Sequence, residues 1–203
     1  IIKKGSVKCR TFFLIKLKIM KKVLFLFFAI SAFFGIAQAQ NPTILWQDVE
    51  RSYKILTPAN YNEEESLPMV GFLHGLGDNI DNNNEIYQRM ADEFEWIVFL
   101  PQALEASVNL MGSVIDLGPM WNSGISVSLG TLTISPNSNV DDAGFILSLI
   151  DTVSLNYNIE EGNIFLSGFS MGGFMTHRMA IEYGDKFKAF APASGMIPKS
   201  MET

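Results

Sequence analysis

The sequence predicts an α/β protein in which a mostly parallel sheet carries helices on both faces. Short continuous apolar runs at residues 69–73, 96–100 and 163–166 suit strands buried on both faces. Segments with helical spacing alternate with them, the order that builds parallel crossover connections. The third run passes directly into Gly168-Phe169-Ser170-Met171-Gly172-Gly173. That is the strand, sharp turn and helix setting in which a serine hydroxyl is lifted out of a sheet.

Taken in order, residues 51–58 alternate polar with apolar side chains and stop at Pro58, the pattern of an exposed or edge strand. Residues 69–73 lead into His74-Gly75-Leu76-Gly77. Over residues 85–94, Ile86, Met90 and Phe94 recur four apart and predict one helical face. The strand of residues 96–100 is ended by Pro101. Residues 102–140 are rich in Ser, Gly and Asn, hold Trp121 and lack a clean period, so a long loop above the sheet is expected, with room for one short hairpin. Asp141 or Asp142 caps a helix through Leu155, with Phe145, Leu149 and Val153 on one side. Beyond the serine turn a helix runs to about Tyr183, ended by Gly184, and a last apolar run covers residues 187–193. Sites in such sheets lie at the carboxyl ends of the strands. His74-Gly75-Leu76-Gly77 and Ser170 both fall there.

Charge is segregated along the chain: eight of the 15 basic residues precede the first acid, Asp48. From Met20, the best start, the text reads Met-Lys-Lys, an apolar stretch to Phe34, and Ala37-Gln38-Ala39 before Gln40. This is the pattern of a secretory signal, so residues 1–39 are expected to be a leader and the product to be secreted, extracellular or periplasmic. The stretch is too short for the ~20 residues of a membrane span, and no membrane association is expected once it is cleaved. Residues 40–203 then read as the N-terminal part of one domain. They hold seven Lys and Arg against all 21 acids, a surface that repels phosphate backbones and excludes a nucleic-acid partner. The only cysteine, Cys9, lies in the leader, which leaves no disulfide framework and no thiolate metal site. No metal or other cofactor is expected.

A serine alcohol is a poor nucleophile unless a base takes its proton, a carboxylate orients that base, and donors receive the developing oxyanion. Ser170 is the candidate nucleophile. The expected donors are the backbone amides of Met171, directly after it, and of Leu76 in the earlier glycine turn. Gly75, Gly168 and Gly172 remove Cβ atoms where backbones pass close, and His74 is placed to brace the turn by hydrogen bonding. The base is the difficulty. His177 follows Ser170 on the same helix, ~10 Å along its axis, beyond the ~3 Å of a working hydrogen bond. No histidine follows it, and Asp185 and Glu202 are the carboxylates nearest at hand. The sequence is therefore expected to stop before a triad is complete.

Residues 51–58, Leu73-His74-Gly75-Leu76-Gly77, Met120-Trp121-Asn122, Asp141-Asp142-Ala143-Gly144-Phe145, the serine turn and Ala189-Phe190-Ala191-Pro192-Ala193-Ser194-Gly195 together resemble the secreted polyhydroxybutyrate depolymerase and feruloyl esterase family of α/β-hydrolases. The resemblance spans about residues 48–196 and implies a carboxylic-ester hydrolase, its fold incomplete at the C-terminus, acting on a polyester or an esterified plant polysaccharide. The family's Asp and His have no counterparts here, which implies a largely inactive fragment. Asp78 stands where many relatives carry a small residue. Trp121 is a candidate substrate contact for an aromatic or sugar acyl group, set against the commoner packing of such a ring under a long loop. Two other roles fit the same residues: an extracellular glycan- or polymer-binding protein without catalysis, and a serine peptidase of the same fold.

Overall fold

The computed structural model describes residues 40–110, 112–129 and 132–197; the expected leader, with Cys9 and Met20, and Glu202 lie outside them. From Asn41 the chain forms one compact unit. Its strands in chain order are β1 (Thr43–Trp46), β2 (Val49–Leu56), β3 (Leu67–Leu73), β4 (Ile97–Pro101), β5 (Glu105–Leu110), β6 (Ser113–Pro119), β7 (Val127–Leu129), β8 (Leu132–Ile134), β9 (Ile159–Phe169) and β10 (Ala189–Ala193). The helices are α1 (Asn84–Phe94), α2 (Asp142–Asn156) and α3 (Met171–Glu182).

Six strands make the main sheet in the order β1-β2-β4-β3-β9-β10. The pairs β3 with β4, β3 with β9 and β9 with β10 are parallel, and β1 with β2 and β2 with β4 are antiparallel. This is the mostly parallel α/β-hydrolase arrangement that the sequence predicts. Side chains of β4 alternate between two cores. Ile97 and Phe99 join Phe145, Leu149 and Val153 of α2 and Met175 and Met179 of α3. Val98 and Leu100 pack with Ala91 of α1. Helices therefore cover both faces, and the α2 residues aligned by sequence are all buried, together with Asp142, Ala143, Ile146 and Ile150.

Three readings change. Residues 51–56 are not an edge strand, because β1 pairs outside β2 through a two-residue turn with Gln47 at φ 49° and Asp48 at φ 63°. Residues 102–140 hold two hairpins rather than one: β5 with β6 and β7 with β8. On α1 the buried residue is Ala91, whereas Ile86 and Phe94 are about half exposed. The Ile86, Met90 and Phe94 stripe fails as a core face because α1 sits over β2 and β4 and meets the sheet through Tyr87 and Ala91. Met90 instead lines an apolar groove of about 470 Å³ beside Val70, Phe72, Phe165 and Phe190.

Candidate functional site

Strand β9 ends at Phe169 and α3 begins at Met171, so the whole reversal falls on Ser170, at φ 52° and ψ −114°. A side chain at positive φ is strained by ~1–3 kcal/mol. The turn is held from both sides: Ser170 N–H donates to Ala193 O at 2.9 Å and Phe174 N–H donates to Ser170 O at 3.0 Å. Ser170 is half-buried, outside the packed interior.

The helix after Ser170 is pressed against the end of β3. A Cβ added to Gly172 would collide with the Leu73 carbonyl and lie 2.7 Å from His74 O; one added to Gly168 would run into the Gly172 carbonyl and lie 2.6 Å from Thr176 Oγ1. Both positions need glycine for close approach. On the other side of Ser170, a Cβ built on Gly75 would lie only 3.8 Å from Ser170 Cβ and 3.7 Å from Phe169 O. The turn holding Gly75 and Leu76 therefore stands directly beside the hydroxyl-bearing residue. Gly77, at φ 71°, hangs this turn on the β5–β6 hairpin, its N–H donating to Pro119 O at 2.9 Å. Among the described residues, neither the Leu76 nor the Met171 N–H donates to another protein atom. The Leu76 side chain is 48 % exposed.

His74 is buried and fully engaged. The Ala103 N–H donates to its Nε2 at 3.1 Å, so Nε2 is an acceptor and Nδ1 carries the hydrogen, which it donates to Gly75 O at 2.7 Å. Gln102 Nε2 also approaches Nε2, at 3.2 Å. Burial pushes the His74 pKa below its ordinary value, the largest effect, with the Gly75 carbonyl, Asp78 and Asp142 pulling the other way. The ring is a neutral brace for the turn and has no lone pair free to take a proton from Ser170. His177 lies along α3, and Asp185 lies in the 3-10 turn Gly184–Lys186 beyond that helix, its side chain 79 % exposed.

Trp121 is placed differently from a substrate contact. It is 0 % exposed, its ring tilted against His74 at 5.0 Å between centroids, and its Nε1–H donates to His74 O at 3.0 Å. No face is left for a ligand, so the substrate role is withdrawn. The apparent Asp141 and Asp142 pair also divides. Asp141 caps α2, accepting from Gly144 N at 2.9 Å. Asp142, 0 % exposed, bonds Arg51 Nη2 at 2.6 Å and accepts from Asn122 N at 2.6 Å. Arg51 is itself 1 % exposed and lies over the Phe145 ring at 3.9 Å. Burial pushes the Asp142 carboxyl up, opposed by Arg51 and the Asn122 amide.

Sequence reasoning passed over Arg51, Gln102, Asn122, Ser123 and Arg178 as contributors to the site. Arg51 and Asn122 left a trace only as members of the segments 51–58 and Met120-Trp121-Asn122; the others are polar loop or helix residues whose partners are distant in the chain. No group of three or more His, Cys, Asp or Glu among the described residues stands together as a metal site.

The chain is similar to known esterases. The chain is 26 % identical over 162 residues to a probable feruloyl esterase C of Aspergillus niger, covering 78 % of this chain and 52 % of that protein. It is 25 % identical over 151 residues to a bifunctional acetylxylan esterase/xylanase of Neocallimastix patriciarum, covering 73 % of this chain and 18 % of the relative. The chain thus spans about half or less of the length of these relatives. A solved thermostable esterase superposes with a TM-score of 0.54 at 22 % identity, over 80 % of this chain and 42 % of that one, which shows the shared fold. The family model described as phospholipase/carboxylesterase matches residues 60–203, more than half of the chain, and the chain belongs to that α/β-hydrolase family.

Proposed function

We propose that this chain carries the nucleophile and oxyanion site of a carboxylic-ester hydrolase acting through an acyl-enzyme on Ser170. The observation that supports it most is the Ser170 backbone, φ 52° and ψ −114°. A simple connection between strand and helix would shed that strain by using glycine; a serine kept there has a use for its hydroxyl.

In the reaction, Oγ attacks the ester carbonyl carbon and its proton passes to a base. The carbonyl oxygen becomes an oxyanion between the Leu76 and Met171 amides, each such donor contributing ~3 kcal/mol to the transition state. Collapse expels the alcohol and leaves the acyl group on Oγ, and attack by water releases the acid. Neither histidine of this chain serves as the base: His74 is occupied on both nitrogens, and His177 is seven residues along the helix. The 203 residues by themselves are therefore slow, keeping only the share of catalysis that oxyanion donors supply without a triad.

The substrate is proposed to be a polyester or an esterified plant polysaccharide. The names of the relatives, an acetylxylan esterase and a feruloyl esterase, favour the polysaccharide ester. Export is proposed from the leader, and N-terminal sequencing of the secreted product should begin at Gln40.

The test is intact-mass and peptide analysis after exposure to p-nitrophenyl acetate, with and without added imidazole as an external base. The expected result is one acetyl group on Ser170, formed faster with imidazole and absent from Ser170→Ala. Equal acetylation of Ser170→Ala would sink the proposal, and a wild-type chain that gains no adduct would favour a binding role without catalysis.

A further inference from the structure

We infer that the segment Met120–Ser123 is a positioning strap that sets the spacing between the two oxyanion amides, with Trp121 and Ser123 as its positioning residues. The inference rests on the ester-hydrolase reading of Ser170 and adds a part of the machinery that touches no substrate.

The two amides belong to separate pieces of chain. Leu76 follows β3, and Met171 opens α3. Their mutual position must be held to well under 1 Å for both to meet one oxygen atom. The β3–β9 ladder joins the pieces as far as Leu73 opposite Gly168; beyond its end, Gly172 presses on the Leu73 and His74 carbonyls, which limits approach and does not prevent separation. The strap adds a tie above the end of the ladder. On the turn side, Trp121 Nε1–H holds the His74 carbonyl at 3.0 Å, two residues before Leu76. On the helix side, Ser123 Oγ donates to Met171 Sδ at 3.4 Å, and Asn122 O accepts from Arg178 Nη1 at 2.5 Å. The strap is anchored independently of both pieces: Asn122 N–H donates to Asp142 at 2.6 Å, Asn122 Nδ2 to Val140 O at 2.7 Å, and Asn137 Nδ2 to Met120 O at 2.8 Å. Asp142 in turn is locked to Arg51 beneath the loop.

Trp121 and Ser123 are 0 % and 1 % exposed, so the segment is fixed by one buried bond and several part-buried ones rather than draped over the surface. The His74 carbonyl is therefore gripped between the indole N–H and the first turn of α3. A shift of the strap moves the Leu76 side and the Met171 side together, and its loss frees each to drift.

The experiment compares the whole chain with Trp121→Phe, which keeps an aromatic ring and loses the N–H, and Ser123→Ala, which removes one hydroxyl and is chosen to fold even where the first does not. Acetylation of Ser170 by p-nitrophenyl acetate in excess imidazole is resolved into a maximal rate and a half-saturation concentration. Amide hydrogen exchange is followed at Gly77, bonded to Pro119 O, and at Phe174, bonded to Ser170 O. The strap predicts a maximal rate lower by about tenfold or more in Trp121→Phe and less in Ser123→Ala, with half-saturation unchanged. It also predicts faster exchange at Gly77 in Trp121→Phe and at Phe174 in both variants, while central β4 amides keep their protection. Folded variants with wild-type maximal rates and exchange at both positions would overturn it, as would a uniform loss of protection that includes β4. If the wild-type chain is not acetylated at Ser170, the ester-hydrolase reading fails, and the exchange arm still decides whether the strap holds the two pieces.

Discussion

Replacing Asp142 by Ala removes the partner of a guanidinium that has nowhere to go. Arg51 is 1 % exposed and bonds Asp142 at 2.6 Å; its other contacts are the Gln102 carbonyl at 3.2 Å and the face of Phe145, and its Nε has no partner among the described residues. A buried cation left without its anion typically costs 3–5 kcal/mol, that is about 3–5 kcal/mol of unfolding free energy here. The orphaned Asn122 N–H draws on the same loss rather than adding to it in full. For a domain of this size each kcal/mol moves Tm by about 2–4 °C, so Asp142→Ala should lower Tm by about 6–20 °C. Burial pushes Asp142 up while Arg51 pulls it down, the sign of a pair whose attraction is largely offset by desolvation. The joint replacement Arg51→Met with Asp142→Leu should therefore recover most of the loss. Urea unfolding followed by circular dichroism measures both. A single Asp142→Ala change costing under about 1 kcal/mol, or a joint replacement no better than the single one, would refute the account of this pair.

Ser170→Gly should raise unfolding free energy by roughly 1 kcal/mol, because glycine occupies φ 52° without strain, and should abolish acetylation; a loss of stability would show that the turn is not strained. Gly172→Ala should cost about 1–3 kcal/mol in melts and slow Ser170 acetylation, since its Cβ meets backbone carbonyls that cannot yield without moving the turn of Gly75 and Leu76. The folded pKa of His74 lies below its ordinary value, so the unfolded chain binds the extra proton. Its contribution is intact above the unfolded pKa of about 6.5 and is lost as pH falls from there toward the folded value, with a slope of at most ~1.4 kcal/mol per pH unit. Urea midpoints for His74→Gln should show a flatter dependence through that window, and identical slopes would contradict the buried neutral ring.

The central strands, α2 and α3 were legible because their signals are local. A buried parallel strand is apolar throughout, α2 keeps a period that its burial obeys, and the serine turn concentrates glycines where backbones cross. β1 escaped notice because it has four residues, and its turn uses Gln47 and Asp48 at positive φ rather than the Asn-Gly pair that announces such hairpins. The α1 stripe misled because periodicity reports where apolar residues lie around a helix, not which of them the sheet covers. At the site, Ser170 and the two glycine turns could be read from spacing. The strap could not. Trp121, Asn122 and Ser123 act through partners 16 to 56 positions away, and two adjacent aspartates look alike in sequence although one, half-buried, caps a helix and the other is sealed against Arg51.

The most direct measurement is a crystal structure of the chain after reaction with a fluorophosphonate. The account predicts phosphorus bonded to Ser170 Oγ, with one phosphoryl oxygen ~3 Å from both the Leu76 and Met171 amide nitrogens. A phosphonyl group on another residue, or on Ser170 with its oxygen turned away from those amides, would contradict it.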